Sequence, residues 1–299
     1  MTIFVSVAAY LEPELEQTIQ SAIDNSSDPE ALHFGVFEQS KEPIELQSST
    51  AKITKRWIHH SEALGAGYAR AQVQKMYNNE EYFLQVDAHS LFTKDWDNRL
   101  VQWLDLLPKK SIVSGWPIPY SYHKGEIVLG RHEKNLWSVN EPHWCKARKY
   151  GRSWIGQRQP LGNEQYRWSE IGLGGMWFCK GEFLNEVPYD PRVAWHGEEF
   201  MLSIRAFDAG WEIYGVNDTI IYHNYERHGN PRLWDEDKSW DDKQRLSVGI
   251  QSDLIMFKDS SEYRMKNPHR LQEYIERTGM KDLEMMVTNT AIRVGARGK

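Results

Sequence analysis

Over the first 115 residues, short apolar runs alternate with segments whose apolar residues recur at helical spacing, and this alternation limits the folds open to the chain. Residues 3–9 (IFVSVAA) read as a buried strand, after which Pro13 opens an amphipathic helix with Leu15, Ile19, Ala22 and Ile23 on one face. Residues 32–37 and 54–59 read as two further strands. The stretch GAGYARAQVQKMY places Ala66, Ala69, Val73 and Met76 on one helical face. Residues 82–86 form a fourth strand, residues 97–106 a helix ended by Pro108, and residues 112–114 a fifth strand. Strands interleaved with helices predict an α/β fold, a mainly parallel sheet with helices on both faces. Ligands of such sheets bind beyond the carboxyl ends of the strands.

Periodicity is poor from residue 120 to 166, where aromatic and charged residues mix; loop and antiparallel structure above the sheet is expected there. Regular patterns return in WFCKGEFL (177–184), in the helix EEFMLSIRAFDAGW (198–211) and in two short strands within WEIYGVNDTIIYH (211–223). Beyond residue 230 the composition turns charged and helical. Trp234, Trp240, Leu246, Ile250, Leu254 and Phe257 are too few apolar residues for an independent core. We therefore divide the chain into one domain, 1–230, and a helical extension, 231–299, packed on it.

A net charge of −6 excludes a general nucleic-acid binder, since there is no basic excess to neutralise phosphates. Cys145 and Cys179 make neither a disulfide framework nor a zinc site and fit a reducing, cytoplasmic compartment. No apolar run approaches the roughly 20 residues of a membrane span, and MTIFVSVAAY, lacking a basic flank, reads as a first strand rather than a signal peptide. The thirteen tryptophans serve either as core fillers or as faces for sugar rings.

Chemistry concentrates at strand exits. In EYFLQVDAHSLF, Asp87 and His89 follow the fourth strand and, two residues apart, share a side of the extended chain. A carboxylate with an imidazole suits Mn²⁺ or a similar divalent ion; alternatively Asp87 caps a helix and His89 bonds a carbonyl. His223, ending the strand of IIYHNYER, offers a third ligand, and three ligands leave positions for two phosphate oxygens and a water. Gly65 and Gly67 precede a helix carrying Arg70, an arrangement that can bring a forked donor to phosphate. Glu198 and Glu199 follow Gly197 at a helix start, where the helix dipole alone also favours acids.

Taken in order, these motifs resemble the metal-dependent glycosyltransferases of the GT-A fold. WHGEEFMLSIRAFDAGW is similar to a segment of the polypeptide GalNAc-transferases, matching at Trp195, Gly197, Glu198, Ser203 and Arg205 but with His196 and Glu199 in place of a glycine and an asparagine, and GLGGMWF (172–178) resembles their glycine-containing strand. FLQVDAHSLF, HGEEF, the Tyr-His of IIYHNYER and HRLQEYIERTGMKD (269–282) resemble more strongly the cytoplasmic GlcNAc-transferases that modify protein hydroxyproline. The resemblance implies that Asp87, His89 and His223 hold Mn²⁺ and that the metal and Arg70 face the donor diphosphate. It further implies that Gly67, Gly174 and Gly175 give the donor room and that Glu198 orients the acceptor or sugar with Glu199 beside it; the segment at 269–282 either closes on the donor diphosphate through His269 or Arg270 or is a helical brace far from the sugar. The implied reaction transfers a sugar, GlcNAc first among candidates, from a UDP-sugar to a protein or glycan hydroxyl with retention. An inverting GT-A transferase using Glu198 or Glu199 as base, and an inactive carbohydrate- or nucleotide-binding protein, stand as alternatives.

Overall fold

The computed structural model of the protein describes residues 1–131, 139–147, 151–159, 163–226 and 230–280. The amino-terminal half runs β1 (Ile3–Tyr10), α1 (Leu15–Asn25), β2 (Leu32–Ser40), β3 (Lys52–His59), α2 (Ala66–Gln74), β4 (Tyr82–Asp87), β5 (Ser90–Phe92) and α3 (Trp96–Leu106). It continues with β6 (Ser111–Ser114), β7 (Ile118–His123), β8 (Glu126–Leu129), β9 (Val139–Ala147), β10 (Gly151–Gln159), β11 (Tyr166–Ser169) and β12 (Met176–Lys180). The remainder is α4 (Phe183–Glu186), α5 (Glu198–Asp208), β13 (Glu212–Val216), β14 (Ile221–His223), α6 (Leu233–Glu236), α7 (Trp240–Ile255) and α8 (Pro268–Thr278).

The central sheet has eight strands in the order β11-β13-β6-β12-β4-β1-β2-β3. Strands β4, β1, β2 and β3 are mutually parallel, as the alternating pattern predicts. Strands β1, β2 and β4 are buried on both faces because helices cover both, whereas the edge strand β3, KITKRWIH, is polar and partly exposed. Along β1, Ile3, Val5 and Val7 enter the core that includes α1 and α3, whereas Phe4 enters the core shared with α2 and α5. Burying each such side chain contributes about 1.5–3 kcal/mol.

Besides the edge strand β11, which runs antiparallel to β13, two features depart from a purely parallel reading. β12 runs antiparallel to both neighbours, β4 and β6, and Met176 at its start pairs with Val86 near the end of β4. Its preceding glycines thus arrive beside the exit of β4. The second departure is a four-stranded sheet, β5-β14-β7-β8, so the two strands read from WEIYGVNDTIIYH lie in different sheets. Within 120–166, part of which lies outside the described residues, β9 and β10 pair antiparallel, and β7 pairs antiparallel with β8. Among the described residues no helix is long and apolar enough to cross a membrane.

The helices after residue 230 pack on α5. Phe200, Met201, Ile204 and Phe207 meet Leu254, Ile255, Met265, Leu271, Tyr274 and Ile275 in one apolar cluster. Neither side buries these residues alone.

Candidate functional site

A cleft of about 570 Å³ opens where β1, β2 and β4 end, against the start of α2, the start of α5 and the segment leading into α6. Into it project Asp87 at the end of β4, His89 just beyond it, and His223 at the end of β14. The ligand atoms of these three residues all lie within 4.8 Å of one another. His223 Nε2 and Asp87 Oδ2 are 3.0 Å apart, and the His89 and His223 rings meet edge to face with centroids 4.5 Å apart. One carboxylate and two imidazoles form a donor set that suits a first-row transition ion better than Mg²⁺ or Ca²⁺.

The buried carboxylate of Glu12, at the exit of β1, lies 2.8 Å from His89 Nδ1. With Nδ1–H donating to Glu12, His89 keeps Nε2 available for a ligand, the usual device for orienting a metal-binding histidine. Burial by itself raises the Asp87 carboxyl. The His223 hydrogen bond and the Arg70 charge outweigh it and hold Asp87 well below the usual carboxylate range. Asp87 is therefore an anion at every working pH.

Arg70, from α2, is buried and its fork is already engaged. One nitrogen donates to Glu198 and, at 3.2 Å, to the Tyr189 hydroxyl; the other donates to Asp87 Oδ1 at 3.1 Å. The expected bare donor for phosphate is thus a charge that links two carboxylates. Glu198, 6% exposed, receives the Tyr189 hydroxyl at 2.9 Å on its second oxygen. Glu199 accepts the Gly174 N–H at 2.6 Å, and burial followed by the neighbouring Glu198 charge pushes it up to about 7. The two acids at the start of α5 therefore differ: Glu198 is locked by hydrogen bonds, and Glu199 titrates near neutrality.

The glycines also divide. A Cβ on Gly175 would lie 3.4 Å from Asp87 Oδ2, so this glycine flanks the triad. Gly174 sits under the Arg70 guanidinium, where a Cβ would fall 2.5 Å from both terminal nitrogens. Gly67 does not line the cleft. Its Cβ would be 2.0 Å from the Val193 carbonyl oxygen, so it serves close packing of α2 on the segment before α5 rather than donor approach. His269 and Arg270 are likewise not in the cleft. Arg270 donates to the Phe207 carbonyl at 3.0 and 3.2 Å and covers the Phe207 ring at 4.0 Å. It grips the end of α5 opposite the two acids, roughly 13 Å along the helix at 1.5 Å per residue.

Several cleft residues escape sequence reasoning. Glu12 had one available signal, an acid directly after a buried strand and before Pro13. Trp116 and Tyr225 stack at 5.9 Å on one wall. Trp195, 42% exposed, adjoins Trp234, which adjoins Trp240, on another. These tryptophans are cleft walls, whereas Trp96, Trp177 and Trp211 are core fillers.

The fold has solved counterparts among GT-A glycosyltransferases. GalNAc-T7, solved with UDP, GalNAc and Mn²⁺, superposes with a TM-score of 0.60 at 16% identity, covering 99% of this chain and 58% of that one. The chain thus spans less than two thirds of GalNAc-T7. TarS 1–349 of S. aureus, solved with UDP-GlcNAc, gives 0.53 at 14% identity over 93% of this chain and 72% of the other. The Pyrobaculum calidifontis mannosyltransferase PcManGT, solved with GDP-Man and Mn²⁺, gives 0.52 at 13% identity over 99% and 74%. At such identities the likeness is one of fold. No curated protein sequence matches significantly. The family model described as Glycosyltransferase (GlcNAc) matches residues 2–49 and 43–254, and the chain, a GT-A-fold protein, belongs to that family.

Proposed function

We propose that this glycosyltransferase is metal-dependent and moves GlcNAc from UDP-GlcNAc to a hydroxyl of a protein or glycan acceptor, with retention. The observation that carries this reading is the convergence of Asp87, His89 and His223 within 4.8 Å at the mouth of the sheet. These three residues would hold Mn²⁺. What the ion supplies when bound is Lewis-acid stabilisation of the negative charge on the departing diphosphate. UDP and Mn²⁺ in GalNAc-T7, and UDP-GlcNAc in TarS, occupy proteins of the same fold.

The protein's own groups prepare the site. Asp87 stays ionised, and Glu12 fixes the tautomer and tilt of His89. Arg70 spaces Glu198 from Asp87 and offsets their charge. Glu198, with both oxygens engaged, orients its surroundings rather than abstracting a proton. Gly175 leaves room beside Asp87, and the stacked Trp116 and Tyr225 form one wall of the cleft. We assign residues 1–230 to catalysis. The extension supplies Arg232, Leu233, Trp234 and Trp240 to the cleft in place of His269 and Arg270. The buried free thiol of Cys179 supports a cytoplasmic setting.

A second reading has one observation in its favour. Glu199, raised to about 7, has the affinity a general base needs near neutral pH. In that reading the enzyme inverts configuration. The test is incubation with a panel of UDP-sugars, with and without Mn²⁺, in the presence of acceptor lysate. Mass spectrometry of the products should show a HexNAc added only with UDP-GlcNAc and metal. An α-linked product fixes retention and a β-linked product the second reading. Equal transfer in chelator overturns the metal assignment.

A further inference from the structure

Behind the catalytic cleft, a separate cavity of about 400 Å³ is lined by Asn185, Glu186 and Val187 at the end of α4, by Arg205, Asp208 and Ala209 at the end of α5, and by Glu262, Arg264 and Lys266 before α8. Its floor is Arg205, 7% exposed. The guanidinium donates to the Pro188 carbonyl at 2.8 Å and lies 5.6 Å from the centre of the Tyr263 ring. Among the described residues no carboxylate forms an ion pair with it. A buried guanidinium without a carboxylate bears a large desolvation cost, and burial lowers Arg205 to about 10.

Three of the acids nearby are committed elsewhere, and a fourth, Glu262, stands exposed at the rim. Asp190 holds Arg192 through both oxygens, at 2.8 and 2.6 Å. Asp208 accepts the backbone N–H groups of Lys266 and Asn267 at 2.7 and 2.9 Å. Glu186 accepts Lys110 Nζ at 2.7 Å and Trp211 Nε1 at 2.8 Å. Arg264 and Lys266 stand exposed at the rim above the buried cation. A buried forked donor with two exposed cations at its rim matches a tetrahedral oxyanion, whose oxygens take several charge-assisted hydrogen bonds at once.

We propose that this cavity binds a phosphate group, either as inorganic phosphate or carried on a small phosphorylated metabolite, independently of the catalytic cleft. The test follows thermal unfolding and calorimetric binding of the full chain in chelator, with inorganic phosphate and a hexose phosphate as probes and chloride matched for ionic strength. Saturable stabilisation beyond the chloride control is expected, at equal affinity with and without UDP. A stronger response to the hexose phosphate identifies the carried form, and an equal one the free ion. The exposed pair R264Q/K266Q, which leaves the core intact, should weaken binding about tenfold; Arg205→Gln should abolish it if that variant folds. No saturable response, binding lost on adding UDP, or unchanged affinity in R264Q/K266Q overturns the proposal.

Discussion

Glu12 Oε2 lies 2.8 Å from His89 Nδ1, joining the exit of β1 to the exit of β4. A carboxylate on the far nitrogen raises the basicity of an imidazole ligand and fixes its ring. Glu12→Gln keeps the shape and removes the charge. Mn²⁺ affinity, followed by calorimetry, should fall about 10- to 100-fold. Unchanged affinity would remove His89 from the proposed ligand set.

Asp87→Ala should abolish the enhancement of UDP binding by Mn²⁺ while leaving metal-free UDP binding as it was. Arg70 retains Glu198 and Tyr189 as partners, so circular dichroism should stay native. The comparison is one UDP titration with Mn²⁺ and one with chelator. Persistent Mn²⁺ enhancement in the variant would place the ion elsewhere.

Glu199 links stability to pH. Its carboxyl is raised from 4.5 to about 7, so between those values the folded state binds more protons than the unfolded one. This contribution is complete below about pH 4.5 and is lost as pH rises through about 7. Glu199→Gln keeps an acceptor for the Gly174 N–H and does not titrate. Relative to wild type, the variant should gain stability between pH 5 and pH 8 in metal-free urea unfolding. A constant difference across that range would contradict the shift.

Arg270→Ala should cost about 1–3 kcal/mol, the scale of charge-assisted hydrogen bonds to the Phe207 carbonyl, and lower the melting temperature. The Michaelis constant for the UDP-sugar should not move, because Arg270 grips the far end of α5. A raised constant at unchanged stability would restore the donor-closing role.

The parallel core and the gathering of Asp87, His89 and His223 were legible in the sequence for related reasons. Apolar runs reveal strands, and an α/β sheet gathers ligands at strand exits, so Asp87, His89 and His223 could be paired without knowing their distance. Interactions that depend on what a side chain meets across the fold were not legible. Arg70 is 17 and 128 residues from its two carboxylates, and nothing local shows that its fork is occupied. Glu12 and His89 are likewise separated by 77 residues. The antiparallel run of β12 was hidden because strand direction leaves no mark on an apolar run. At 269–270 a family-like segment suggested proximity to the donor, but the amphipathic α8 turns Leu271, Tyr274 and Ile275 into α5 and keeps its basic residues with the helix end.

Asp87 closes a strand of the eight-stranded sheet, and His223 closes a strand of the four-stranded one. A cation seated between them is therefore also a tether between two separately hydrogen-bonded sheets. Phe92 and Ile221 share the buried core with β1 and α1, and Asn224 donates to Glu14, so departure of the cation would loosen the smaller sheet rather than free it. Amide exchange in Ile221, Tyr222 and His223 should then report occupancy directly, slowing when Mn²⁺ is added and quickening when it is chelated.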